Sequence, residues 1–93
     1  MFSGRSLTVD SDPPVITLIG GSFINLEEGD PYTEQGATAF DAIDGDITAD
    51  IVIGGDVIDI NTAGTYTVTY NVTDSAGNAA VEVTRDVVVA AIV

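Results

Sequence analysis

The chain has 93 residues and a formal net charge of −13, since fifteen acidic residues oppose only two arginines. It contains no cysteine, histidine or lysine, which excludes disulfides, thiolate metal sites, the commonest general base and Schiff-base chemistry, so we expect no enzyme activity. Repulsion from phosphate groups at this net charge excludes nucleic acid as a partner and disfavours anionic membrane surfaces.

The chain begins with a polar arm, residues 1–12, and the folded part starts at the two prolines that follow. Short apolar runs bounded by Gly, Pro and Asp then predict strands at 15–19, 23–26, 37–40, 51–53 and 57–60. The segment 41–46 is predicted to be an acidic loop. No stretch has the helical period, and no apolar run approaches the ~20 residues that a membrane helix needs, so we expect no membrane insertion.

The clearest pattern is a strict alternation of apolar and polar residues over 65–73, which is the period of a strand with one buried face. A turn at 74–78 ends this strand, and a second alternating run, 81–89, follows with Val81 and Val83 facing inward. Two long strands joined in this way form an antiparallel hairpin. About seven short strands with regular turn signals predict an all-β sandwich.

Four motifs in order resemble a known family: EQGATAxD at 34–41, DGDIT at 44–48, AGTYxVxYxVxDxAGN at 63–78 and RxVxV at 85–89. They are similar to the bacterial Ig-like domains related to hyalin repeats, of which one branch occurs in a pesticidal crystal protein and in bacterial surface proteins. The resemblance implies an Ig-like antiparallel β-sandwich over residues 13–89, with 90–93 as a C-terminal tail. It implies no single function, because such modules serve as spacers, adhesive units, accessories of polysaccharide enzymes and phage appendages.

Acidic residues concentrate in two of the predicted turns. Calcium takes six to eight oxygen ligands, mostly carboxylates and carbonyls, and the two turns together could supply them. The alternative is structural, with the Asp side chains accepting hydrogen bonds from nearby backbone N–H groups. Both interpretations stay open from sequence, and the candidate ligands are Asp41, Asp44, Asp46, Asp74 and Asn78.

Arg85 has the parity of Val87 and Val89, so its side chain is predicted to point toward the core. A buried guanidinium must be paired, and the expected partner is Asp41 or Asp44. The functional alternative is an arginine that faces a ligand.

The N-terminal arm carries Phe2, Leu7 and Val9 together with Arg5, one of the two arginines. An extended arm of this kind can add a strand to a partner or lie in a groove, so these four residues are predicted to anchor the module to a protein. The partner would be a capsid or a neighbouring surface subunit.

Two functional hypotheses follow. Because the sequence has no secretion signal, the first is a non-catalytic decoration or appendage protein on the surface of a phage virion. The second is one repeat of a bacterial cell-surface adhesin, or an accessory domain of a secreted polysaccharide-active enzyme, with a glycan as a further partner. Both place the domain outside the cell.

Overall fold

The computed structural model describes residues 12–92, which form two β-sheets packed face to face. The first sheet has the strand order β1-β3-β4 and the second has the order β2-β7-β6-β5. This confirms the predicted all-β, Ig-like sandwich. The strands are β1 (Val15–Leu18), β2 (Phe23–Glu27), β3 (Ala37–Asp41), β4 (Gly45–Asp46), β5 (Val52–Gly55), β6 (Gly64–Asn71) and β7 (Val83–Ala90), with one 3₁₀ turn at Thr48–Asp50.

The chain changes sheets between its first two strands. Strand β1 pairs antiparallel with β3 in the first sheet, and β2 pairs parallel with β7 in the second. Gly20 lies in this crossing with φ of +82°, and a Cβ on it would come within 1.8 Å of the Gln35 Oε1 atom. Only glycine therefore fits the crossing without displacing Gln35. The sequence pattern did not predict the parallel pair.

The long hairpin of β6 and β7 is present, with a β-bulge next to its turn. Tyr70 pairs with Val83, but Thr73 pairs with Ala79, so the second strand has one residue more than the first between these pairs. A bulge shifts the parity of the residues beyond it. The prediction that Val81 faces inward was therefore wrong: its side chain is 80% exposed, and the alanine before it is buried.

The core lies between the sheets and consists mainly of small and β-branched side chains. Alternate residues of β3 are buried, as expected for a strand with one face toward a core. Within residues 12–92, no helix is long and apolar enough to cross a membrane. The buried cluster comprises Ile16, Ala37, Ala39, Ile47, Val68, Tyr70, Val72, Ala80 and Val87.

Residues 57–60, which were predicted to form a strand, form none. Two aspartates explain the difference by binding backbone and hydroxyl groups locally. The Asp56 carboxylate accepts the Thr67 N–H at 2.9 Å, directly after β5 ends, and the Asp59 carboxylate accepts the Thr62 hydroxyl at 2.8 Å. Residues 57–60 do form a short apolar run, but their backbone leads into a turn and pairs with no strand.

The two ends of the described chain lie at opposite poles of the sandwich. The N-terminal pole contains Pro13 and Pro14, which line a cleft with Val81 and Val83, and it also carries the turns around residues 43 and 76. At the C-terminal pole the Ile92 N–H donates to a carboxylate oxygen of the turn after β2. The poles are separated by the eight residues of β7, or about 25 Å.

Candidate functional site

The two acidic segments meet at the N-terminal pole. The Asp44 carboxylate accepts the Ser75 backbone N–H at 2.7 Å and the Ser75 hydroxyl at 2.8 Å. This contact joins the loop after β3 to the turn between β6 and β7. The structure therefore brings Asp44 to the turn that contains Asp74 and Asn78.

The remaining carboxylates at this pole bind backbone groups of their own turns. Asp41 is buried, and its Oδ2 accepts the N–H groups of Ile43 and Asp44, both at 2.9 Å. Asp74 Oδ1 accepts two N–H groups of the following turn, one of them from Asn78 at 2.8 Å. These are the hydrogen bonds of a structural turn. Asp41 Oδ1 is also buried and has no hydrogen-bond partner within the described part of the chain.

Asp46 is the fifth predicted ligand and lies on the exposed strand β4. Hydrogen bonds from the side chain and backbone of Thr48 hold the pKa of Asp46 below its ordinary value. Across residues 12–92 no group of three or more acidic side chains is arranged to hold a metal ion. The geometry thus supports the structural role, and calcium binding stays a prediction.

A thermal melt separates the two roles. If the loops bind calcium, millimolar calcium raises the melting temperature by mass action on the native state, and Asp41→Asn and Asp44→Asn abolish the rise. If the loops are structural, calcium and magnesium at matched ionic strength give equal shifts through screening alone. Asp50→Asn, which removes the same charge from the 3₁₀ turn, is the matched control.

Arg85 is the most buried polar side chain of the domain, and it connects the two sheets. It projects from β7, and its Nη2 donates to the backbone oxygens of Ile19 and Gly36 at 2.8 and 2.9 Å. Its Nη1 donates to Gln35 Oε1 at 2.8 Å, and its Nε donates to the Tyr70 hydroxyl at 3.1 Å. Four hydrogen bonds thus engage all three nitrogens of a fully buried guanidinium.

The predicted partner of Arg85 was wrong. Asp41 and Asp44 lie at the N-terminal pole and bind backbone groups there, whereas all four partners of Arg85 are uncharged. The compensating carboxylate is Glu34, which accepts the hydroxyl hydrogen of Tyr70. The Tyr70 hydroxyl therefore links the Arg85 guanidinium to the Glu34 carboxylate by two hydrogen bonds. The prediction of the core side was correct, and no ligand-facing arginine is present among the described residues.

Glu34 accepts three hydrogen bonds near the protein surface, from Tyr70, from Tyr32 at 2.8 Å and from the backbone N–H of Gly36 at 2.8 Å. Burial alone would raise the pKa of Glu34, but these hydrogen bonds and the charge of Arg85 together hold it below its ordinary value of 4.5. Burial, and then the hydrogen bond to Glu34, raise the pKa of both tyrosines.

The lowered pKa of Glu34 makes stability depend on pH in a definite direction. A carboxylate with a depressed native pKa stabilises the fold above its unfolded-state pKa and loses that contribution as the pH falls through its native pKa. We therefore expect Glu34→Gln to cost about 1 kcal/mol at pH 7, a value kept small because the group is partly solvated. The cost should shrink between about pH 5 and pH 3.

Urea unfolding of the wild type and Glu34→Gln across this pH range measures the effect. Glu82→Gln is the control for net charge, because Glu82 accepts one hydrogen bond from Asn71 away from the arginine. A constant difference between the wild type and Glu34→Gln from pH 7 to pH 3 would contradict the assignment.

Several predicted residues lie elsewhere or outside the described chain. The four anchoring residues, Phe2, Arg5, Leu7 and Val9, lie outside residues 12–92. Val87 and Val89 are buried, as the strand pattern predicted, and Ile92 of the tail is exposed.

Sequence reasoning missed the residues that complete the arginine network. Glu34 and Gln35 stand beside Gly36 in the EQG part of the first family motif, yet no charge or hydropathy pattern ties them to position 85. The only available signal was that a buried arginine needs hydrogen-bond acceptors. That requirement pointed to the two acidic turns, because they contain the most carboxylates.

The chain belongs to the Ig-like domains of bacterial surface proteins, and the family model matches residues 16–89. No sequence in a search of curated proteins matches the chain significantly. The more distant relation to hyalin repeats stays a prediction.

Solved structures give the same result at the level of the fold. The chain is 35% identical to the lipoprotein BT2262 from Bacteroides thetaiotaomicron, with a TM-score of 0.73 over 86% of this chain and 39% of that one. It is 32% identical to the structure of CBM51-2 in complex with GlcNAc and INT domains from Clostridium perfringens ZmpB, with a TM-score of 0.62 over 82% of this chain and 16% of that one.

A third match is the structure of the M60 catalytic domain with the CBM51-1 and CBM51-2 domains from Clostridium perfringens ZmpB. It is 30% identical, with a TM-score of 0.62 over 85% of this chain and 8% of that one. In all three comparisons the chain spans well under half of the matched protein, so the similarity concerns one module of a longer polypeptide.

Proposed function

We propose that this domain is a non-catalytic spacer and display module of a multidomain bacterial cell-surface protein. The observation that carries the proposal is the position of the chain ends at opposite poles. Pro13 lies beside the start of β7, and Ile92 lies beyond its end. A chain that enters at one pole and leaves at the other extends an array by the full length of each module.

The comparisons support this proposal because the chain matches only part of each longer bacterial protein. The family itself is defined on bacterial surface proteins. The virion hypothesis has no comparable support, since none of the three structures described above is a virion protein. We therefore prefer the second of the two hypotheses drawn from sequence.

A distance measurement tests the spacer geometry. The chain has no cysteine, so the double variant Pro13→Cys and Ile92→Cys takes one spin label at each pole and nowhere else. Pulsed electron resonance should give a single distance of roughly 25–35 Å between the labels, as set by the length of β7. A distance below about 15 Å would place both ends on one side and overturn the spacer role.

Immunolabelling tests the location. Antibodies against the purified domain should label intact source cells without permeabilisation. Labelling of purified virions, with unlabelled cells, would instead support the phage hypothesis and reject the cell-surface proposal.

Glycan binding is a second candidate function, and one groove supports it. A groove of about 370 Å³ on the first sheet is lined by Thr38, Phe40, Asp46 and Thr48. It offers an exposed aromatic ring next to hydroxyl and carboxylate groups, the combination that small polar ligands require. One similar structure contains GlcNAc, which makes N-acetylglucosamine the natural probe.

Calorimetric titration with N-acetylglucosamine and its trimer tests the groove. If it is a sugar site, binding is saturable and Phe40→Ala weakens it at least tenfold, because the stacking surface is lost. Phe23→Ala is the matched control, since both rings are more than half exposed and Phe23 lies on the other sheet. Absence of saturable binding removes the glycan hypothesis.

A further inference from the structure

Strand β5 forms one edge of the four-stranded sheet. It pairs with β6 through Val52↔Asn71 to Gly55↔Val68, and no other strand within residues 12–92 pairs with it. Its second edge therefore presents backbone N–H and C=O groups without a ladder partner, which is a template for another strand.

The other edges of the sandwich are β2 in the same sheet and β1 and β4 in the first sheet. Ile24 and Leu26 of β2 pack against the core, and that strand ends in the charged Glu27. Two prolines directly precede β1, and β4 has only two residues. Natural sheets use charge, proline and very short strands to prevent pairing at an edge.

Strand β5, with four residues, is longer than β4. Its sequence Val-Ile-Gly-Gly contains no charge and no proline, and all four residues are exposed. Val52 is 67% exposed, Ile53 is 48% exposed, and Val57, just beyond the strand, is almost fully exposed. We call these three residues with the free backbone of β5 the open edge.

The open edge is apolar on both faces of the sheet. Ile53 lies opposite the buried Tyr70, so it belongs to the inner face, and Val52 lies opposite the exposed Asn71 on the outer face. Ile53 is exposed despite its inward direction because the facing sheet has only three strands, the last of two residues. A partner strand would thus gain backbone hydrogen bonds and apolar contact on both faces.

Acidic residues bracket the open edge. Asp50 precedes β5 and Asp56 directly follows it, and the net charge of the chain is −13. A second copy of this chain would carry the same charge and be repelled. Positive side chains at the two ends of an added strand would instead be attracted to both aspartates.

We propose that the open edge binds an extended segment of a partner polypeptide that has alternating apolar residues and is flanked by Lys or Arg. The segment adds to the sheet as a fifth strand beside β5. This interaction is independent of the spacer role. The spacer role depends only on the positions of the two chain ends, whereas partner binding depends on the open edge.

Nuclear magnetic resonance on the full chain tests the proposal. The probe is the capped peptide Lys-Val-Thr-Val-Thr-Lys, and the control peptide has Glu in place of both Lys residues. We expect saturable amide shifts and slowed hydrogen exchange confined to residues 51–57. The Glu peptide should bind at least tenfold more weakly at low salt, and the difference should shrink in 0.5 M salt, a concentration at which the screening length is about 4 Å.

Two matched variants complete the test. Ile53→Asn removes apolar contact at the open edge and should weaken binding of the Lys peptide about tenfold. Ile19→Asn is the control, because Ile19 is also 48% exposed but directly follows β1 of the other sheet, and it should leave binding unchanged.

Three outcomes would overturn the proposal. They are shifts that map to β2 or to the cleft beside Pro13, equal losses in the two variants, and a lack of saturable binding. Sedimentation of the chain alone tests whether a second copy of the chain occupies the open edge. A dimer that Ile53→Asn dissociates would show that the edge binds a second copy instead of a partner segment.

Discussion

Replacement of Arg85 by methionine should destabilise the domain by about 3–5 kcal/mol, which approaches the whole stability of a small domain. Methionine fills much of the space but donates no hydrogen bond. The backbone oxygen of Ile19, the Gln35 side chain and the Tyr70 hydroxyl would each lose a donor, and the Tyr70 hydroxyl belongs to a fully buried side chain. A buried acceptor without its partner carries its full desolvation penalty.

Urea unfolding followed by circular dichroism measures this loss. Arg85→Lys should fall between the wild type and Arg85→Met, because an ammonium keeps the charge but cannot reach four acceptors in the plane of a guanidinium. Thr84→Met, on the exposed face of the same strand, is the control for strand propensity and should change stability by less than about 0.5 kcal/mol. A loss below about 1 kcal/mol for Arg85→Met would refute the view that this residue ties the sheets together.

Gly55→Ala should cost about 2–4 kcal/mol. Gly55 has φ of +91°, and a Cβ on it would lie 2.3 Å from the backbone oxygen of Thr67. Unlike a flexible side chain, the backbone of β6 moves only if its ladder moves. The same oxygen accepts the Asp56 N–H at 2.9 Å, so a shift would also disturb the end of β5.

Gly29→Ala isolates the steric part of this effect. Gly29 has the same φ of +91°, but a Cβ there meets no atom within 4 Å. Its replacement should cost only the left-handed backbone penalty, about 1–2 kcal/mol. Equal losses for the two variants in the same urea experiment would show that β6 accommodates the methyl group freely.

The alternation of apolar and polar residues was sufficient to predict the fold class. It was not sufficient to predict, for every residue, whether its side chain faces the core or solvent. It placed the β6–β7 hairpin and the buried Val87 and Val89 correctly, because these positions follow the period of the pleat. It failed at Val81, since a single inserted residue reverses parity and leaves no mark in hydropathy. It failed at 57–60, where the Asp59 side chain accepts the Asn61 N–H and the Thr62 hydroxyl and so forms a local turn.

The arginine network shows what one strand pattern cannot supply. Parity alone gave the burial of Arg85, yet a long side chain reaches acceptors on the other sheet, and these come from residues 49 to 66 positions away in sequence. Their negative charge suggested Asp41 and Asp44 as partners, but the carboxylates of both residues accept hydrogen bonds from backbone N–H groups of the turns at the N-terminal pole. Only the packing of the two sheets brings Gln35 and Gly36 to the guanidinium.

The parallel pairing of β2 with β7 gives the domain a mechanical property. Tension transmitted along a tandem array would pull outward at Pro13 and Ile92, at opposite poles. Such a force acts along β2 and β7, so it shears their five paired positions together instead of opening them one after another. Leu26→Pro, which removes an N–H that β2 directs toward β7, should lower the unfolding force in single-molecule pulling. An unchanged force would show that another part of the sandwich bears the load.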